Sequence, residues 1–336
     1  MSNELNLALE DLAFKPAWWL PEGHTQTVWR KFRPPVTLSR RRQRIELADN
    51  DFIDIDWMAE ANLEDHPSRP VVLVLHGLCG CSTSTYILSL QSALAATGFT
   101  SAAINFRGCS GETNRLARSY HSGVSEDLDA VFERMRCDFP ERRFAFTGFS
   151  LGANVLLKWL GEKGADSAVE KAVAVSTPFL LAHCSREMNH GFGKLYGRYF
   201  VRRLVGEIER KKKHFAQNGN ITQLNVLESL GNLRRLTSIW QFDDGVTAPL
   251  HGFGSAKDYY DKSSSLGYLE GIEIPTLLIQ SRDDPLIPAL SLPQPGCLND
   301  NVKLELSDRG GHVGFFSDAR PDWLESRILH HLMEPG

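Results

Sequence analysis

The chain has 336 residues, 42% hydrophobic and 23% charged, with a net charge of −4, which is the composition of a folded globular protein. The mildly acidic balance argues against a chain devoted to nucleic-acid binding, and no apolar run approaches the roughly 18 residues of a membrane span. The start, Met1-Ser2-Asn3-Glu4-Leu5, lacks the basic and apolar regions of a secretory signal, so Cys79, Cys81, Cys109, Cys137, Cys184 and Cys297 are read as reduced thiols in a cytoplasmic protein.

In chain order, residues 1–40 are irregular and rich in Trp and Pro, an extended N-terminal arm that ends in the basic cluster Arg40, Arg41, Arg42 and Arg44. Strand-like alternation follows over 52–57, closed by a polar turn from Asp65 to Pro70. Short apolar runs then recur at 71–75, 101–106, 144–147, 171–176, 275–280 and 302–306. Runs apolar on both faces suit central parallel strands covered by helices on each side. Helical spacing fills the gaps. Tyr86, Ile87, Leu90 and Leu94 stop near Gly98. Val124, Leu128, Val131, Phe132 and Met135 precede Pro140, with Ser125 as a cap, and Val155, Leu156 and Trp159 follow. A last helix spans 323–332. The alternation predicts a doubly wound, mostly parallel α/β sheet, with its core in 41–177 and 271–336. Residues 178–270 break the rhythm. They are helical and basic, with no core strand, and are expected to form an inserted helical cap over the carboxyl edge of the sheet, where such folds bind ligands.

Gly148-Phe149-Ser150-Leu151-Gly152 fits G-x-S-x-G between a strand and a helix. Small residues flank the serine because the turn is strained, and the helix N-terminus favours developing negative charge. A nucleophilic serine needs an acid and then a histidine downstream. Asp283 and Asp284 follow one predicted strand and His312 follows the next, with room between for one helix and one strand. Asp284 is preferred as the partner orienting His312, leaving Asp283 as a loop or salt-bridge residue and Asp308 as a strand terminator. The backbone N–H groups of Leu78 and Leu151 are assigned as oxyanion donors, with His76 bracing the loop after 71–75. His330 and His331, the Lys211, Lys212 and Lys213 run and the arginine cluster are read as solvated faces, with contact to anionic lipid a minor reading. His76, Cys79 and Cys81 lack a second ligand pair for zinc, and there is no phosphate loop or dinucleotide fingerprint, so neither metal nor cofactor is expected.

Five further segments carry a resemblance: Gly23-His24-Thr25-Gln26-Thr27; Asn105-Phe106-Arg107-Gly108-Cys109-Ser110-Gly111-Glu112; Arg118-Ser119-Tyr120-His121-Ser122-Gly123; Phe242-Asp243-Asp244-Gly245-Val246-Thr247-Ala248-Pro249 on to Gly252-Phe253; and Asp283-Asp284-Pro285. With these, residues 16–330 resemble the YheT-like branch of the α/β-hydrolases, a bacterial group related to membrane-associated abhydrolase-domain proteins of animals. The resemblance implies the α/β-hydrolase fold and a Ser-Asp-His hydrolase, with nucleophile, acid and base on Ser150, Asp284 and His312. The animal relatives carry an N-terminal membrane anchor that no stretch of this sequence matches. Of the remaining family segments, Asp243 and Asp244 are read as a turn anchoring the cap, and His24 as packing on core or cap.

The expected activity is therefore hydrolysis of a small or lipid-like carboxylic ester through an acyl-enzyme. A thioesterase or an acyltransferase would use the same residues, and a non-enzymatic binding module would need a broken triad.

Overall fold

In the computed structural model, residues 13–32, 36–58, 68–294, 296 and 298–334 are described; the first residues of the arm, the turn at Asp65 and Cys297 lie outside them. Strands and helices alternate as α1 (Gly23–Trp29), β1 (Arg40–Glu46), β2 (Phe52–Met58), β3 (Val71–Leu75), α2 (Thr85–Ala96), β4 (Ser101–Asn105), α3 (Ser125–Asp138), β5 (Phe144–Phe149), α4 (Leu151–Lys163) and β6 (Lys171–Val175). Then come α5 (Leu181–Glu187), α6 (Gly193–Gln217), α7 (Ile221–Glu228), α8 (Ile239–Phe242) and α9 (Ala256–Ser263), before β7 (Thr276–Ser281), β8 (Val302–Ser307) and α10 (Trp323–Met333). Every element between β6 and β7 is helical. No helix among the described residues is long and apolar enough to cross a membrane.

The strands form one sheet in the order β1-β2-β4-β3-β5-β6-β7-β8, parallel from β4 through β8 and antiparallel where β2 meets β1 and β4. The chain leaves β3 towards β4 on one side and returns to β5 on the other. The carboxyl edge between β3 and β5 is thus the switch point, where diverging loops leave a crevice. Strands β3, β4, β5, β6 and β7 are buried throughout, because helices cover both faces. Leu73, Leu75 and Phe146 pack with Val131, Phe132, Leu156 and Trp159 of α3 and α4. Val72, Val74 and Val173 pack with Ile87, Leu90 and Leu94 of α2 and with Leu324 and Ile328 of α10. Each fully buried Val, Leu or Phe in these layers contributes about 1.5–3 kcal/mol.

Several expectations need correction. The arm is not extended throughout, since Gly23–Trp29 is helical. Its capping position, Glu22, makes no side-chain cap hydrogen bond, so packing and not local propensity holds it. The arginine cluster is an edge strand. Register sets Arg42 opposite Asp56 and Arg44 opposite Asp54, and both pairs close bidentate ion pairs at 2.8–2.9 Å. Ser125 lies inside α3, whose capping position is Val124, and its hydroxyl accepts from Lys158 Nζ at 2.9 Å. Lys211 is buried, its ammonium donating to Arg118 O at 3.0 Å and Ser119 Oγ at 2.8 Å. His331 is buried too, on the core side of α10. Between the Asp284 loop and β8 there is a three-residue turn, Ala289–Ser291, and no α-helix among the described residues, in keeping with Pro288 and Pro293 beside it.

Candidate active site

Ser150 sits between β5 and α4 with φ 53°, a left-handed conformation that costs a non-glycine residue energy. The surroundings hold it there. Its N–H donates to Val175 O of β6 at 2.8 Å, and its carbonyl accepts from Asn154 N of α4 at 3.1 Å. A Cβ on Gly152 would come within 2.5 Å of His76 O, so only glycine lets the first turn of α4 lie against the end of β3. The hydroxyl is thereby lifted above the sheet edge at the positive end of a helix.

The structure brings Ser150, His312 and Asp284 together. Ser150 Oγ lies 2.8 Å from His312 Nε2, and His312 Nδ1 lies 2.8 Å from Asp284 Oδ2. An ionised carboxylate only accepts, so Nδ1 carries the proton and Nε2 is left to accept from the serine. Asp284 is itself held by the N–H groups of Leu286 at 2.8 Å and Ile287 at 3.2 Å, both reaching Oδ1. Asp283 points elsewhere, its Oδ1 accepting from Gly311 N at 2.9 Å. Asp308 is exposed and pairs with Arg282.

The loop after β3 sits directly opposite. His76 is fully buried, which pushes its pKa down to about 4 and keeps it neutral. Its Nδ1 donates to Gly77 O at 2.8 Å and its Nε2 accepts from Phe106 N at 3.2 Å, tying the β3 and β4 loops together. Gly77 N donates to Tyr86 Oη at 2.9 Å and Cys79 N to Tyr120 Oη at 2.8 Å. Between them the N–H of Leu78 takes part in none of the loop or turn hydrogen bonds, nor does that of Leu151 at the start of α4. Burial pushes the Cys79 thiol up to about 12, and Cys109 and Cys184 are likewise held protonated by burial.

Two cavities meet at Ser150 and His312. One, of about 100 Å³, runs inward past Leu181, Met188, Leu204, Phe242 and Ile287. The other, of about 370 Å³, opens past Thr27, Cys79, Tyr86, Tyr199 and Arg203. Leu78, Phe200 and Leu286 border both.

What the sequence reading missed is the part played by α1. Thr27 Oγ1 accepts from His312 N at 2.8 Å, and the buried Gln26 amide grips Phe316 through both N (2.6 Å) and O (3.1 Å). Arg30 donates to the carbonyls of Val313 and Gly314 and pairs with Glu325 of α10. Gly23 touches the Asp283 carbonyl so closely that no Cβ fits. His24 stacks on Tyr196 of α6, 5.8 Å between ring centres, with its Nδ1 3.1 Å from the phenol oxygen. The loop so held is irregular: Gly311, Val313 and Phe315 all have positive φ. Asp243, read from sequence as part of an anchoring turn, does bond Thr247 in that turn and Tyr260 of α9, and in addition it lines the inner cavity.

A profile of the α/β hydrolase fold matches residues 70–319. The Escherichia coli (strain K12) protein YheT, named as an esterase, is 37% identical over 331 residues, covering 97% of this chain and 94% of its own. The chain belongs to the YheT-like branch of the α/β-hydrolases. Human phospholipase ABHD3 is 29% identical over 315 residues, covering 92% of this chain and 75% of its own. The solved esterase Pf2001 of Pyrococcus furiosus shares the fold at 20% identity and a TM-score of 0.56, covering 89% of this chain and 96% of its own. The chain is thus an esterase- and lipase-like α/β-hydrolase.

Proposed function

We propose that the hydrolase cleaves carboxylic esters through a Ser150 acyl-enzyme, with His312 as general base and acid and Asp284 as its orienting partner. The observation that carries this reading is the unbroken Ser150–His312–Asp284 chain of hydrogen bonds at the meeting point of two cavities. His312 Nε2 takes the serine proton as Oγ attacks the acyl carbonyl, and Asp284 stabilises the imidazolium that forms. The carbonyl oxygen gathers charge between the N–H groups of Leu78 and Leu151, residues that both line the cavity beside Ser150 and whose N–H groups take part in no loop or turn hydrogen bond among the described residues. The tetrahedral intermediate collapses as His312 passes its proton to the departing alcohol. Water deprotonated by the same nitrogen then attacks the acyl-enzyme, and the acid leaves.

The inner cavity takes the acyl group and the wider outer one the alcohol. The helical segment 178–270 acts as a cap, since α5, α6 and α8 wall the inner cavity. At about 100 Å³ the inner cavity is smaller than an engineered cavity of about 150 Å³ that binds a single benzene, which suits a short acyl chain. The test is stoichiometric labelling by a fluorophosphonate probe, with the adduct mapped by mass spectrometry, followed by turnover of p-nitrophenyl esters of increasing acyl length. Adduct on Ser150, lost in Ser150→Ala, and faster cleavage of butanoate than of palmitate are expected. A folded protein that takes no label would overturn the reading.

A further inference from the structure

The inner cavity is not apolar along its whole length. Asp243 lines it in a buried π-helical turn, Asp243–Thr247, that continues α8. Its Oδ1 accepts from Thr247 Oγ1 at 2.7 Å and its Oδ2 from Tyr260 Oη at 2.6 Å. A carboxylate offers about four acceptor positions, so two remain. Among the described residues it forms no ion pair with a Lys, Arg or His. His121 shares the cavity, but burial holds its pKa well below the usual histidine range, so it carries no balancing charge.

Burial pushes the Asp243 pKa up to about 6, against the hydrogen bonds from Tyr260 and Thr247 that favour its ionised form. An anion in an apolar cavity is costly unless something positive meets it. The turn is tied to α9 twice, by Asp243 through Tyr260 and by its exposed neighbour Asp244, which accepts from Ala256 N at 2.8 Å. The rings of Tyr259 and Tyr260, 5.2 Å apart, border the same space, and aromatic rings attract a cation. A carboxylate deep in a substrate pocket is also how trypsin selects a cationic side chain.

We propose that Asp243, Tyr259 and Tyr260 form a subsite for an ammonium group carried on the acyl side of the ester. The inference rests on the Ser150 hydrolase reading and names its substrate class, an ester of a short amino acid chain with the amine away from the carbonyl. The test compares isosteric p-nitrophenyl esters in which NH3+ replaces CH3: 3-aminopropanoate against butanoate, and 6-aminohexanoate against heptanoate. The wild type is expected to prefer the ammonium ester in at least one pair by about tenfold or more in kcat/KM, and Asp243→Asn to lower that preference about hundredfold. Asp243→Glu, which keeps the charge, retains the sign of the preference. Asp244→Asn leaves the ratio where it was.

Wild-type preference for the alkyl ester in both pairs would overturn the subsite, and so would an Asp243→Asn variant that slows both members equally. The wild-type comparison stands even where a variant does not fold. Failure of the hydrolase reading looks different: no ester is turned over and Ser150 takes no fluorophosphonate, and the subsite falls with it.

Discussion

Asp283 and Asp284 are chemically identical neighbours that the backbone aims at different targets. Asp284 reaches the imidazole, while Asp283 reaches the amide of Gly311. Asp284→Asn presents an amide where His312 needs a carboxylate, which favours the wrong tautomer; kcat is expected to fall about 10⁴-fold. Asp283→Asn keeps an oxygen for Gly311 N–H and should cost no more than about tenfold. Steady-state rates of the two variants on one p-nitrophenyl ester decide the assignment, and equal losses would refute it. The sequence marks both aspartates as lying just past a strand, since the turn residues and the apolar run before them are legible. Which carboxylate turns inward depends on a backbone path that no local pattern encodes. Asp243 was harder still. Beside Asp244 in a polar string it reads as a surface turn, and only the packing of α5, α8 and α9 around it makes it an interior residue.

At the level of elements, the legible strands are those buried on both faces, where apolar runs between Gly and Pro leave little alternative. β1 was illegible because Arg40-Arg41-Arg42-Gln43-Arg44 has no apolar alternation and pairs through its charges with Asp54 and Asp56. α1 was illegible because seven residues with no capping side chain make a marginal helix in isolation. Its value is tertiary, as the splint for the loop bearing His312. Gln26→Ala removes the acceptor for the buried Phe316 N–H and one of the donors to its C=O, which keeps the Ala17 N–H, and should destabilise the fold by about 1–3 kcal/mol. Because a small displacement of the imidazole is expensive in rate, kcat should fall about 10- to 100-fold while KM changes little. Thermal unfolding alongside kinetics separates the two effects; a loss of stability with full kcat would mean that α1 is mere packing.

For the whole molecule, the doubly wound sheet was readable from alternating strands and helices, and the antiparallel edge was not. Its pH response carries a signature of the buried carboxyl. Asp243 has a folded pKa raised to about 6 from 3.8, so between about pH 4 and 6 the folded chain keeps a proton that the unfolded chain gives up. Stability contributed by this group is present at low pH and is lost as pH rises through that window, by on the order of 3 kcal/mol. Urea unfolding of wild type and Asp243→Asn should therefore show the variant gaining on the wild type from pH 4.5 to pH 7. A pH-independent difference would mean that the charge is already neutralised. The splint has a consequence in time. Gln26 is synthesised 290 residues before its partner Phe316. At roughly 5–20 residues per second, about 15–60 s pass on the ribosome before the two can meet. For the 162 residues between Ser150 and His312, about 8–32 s of that interval, the nascent chain carries the serine without the histidine proposed to activate it, so the enzyme is born inert and becomes a hydrolase only as its far end arrives.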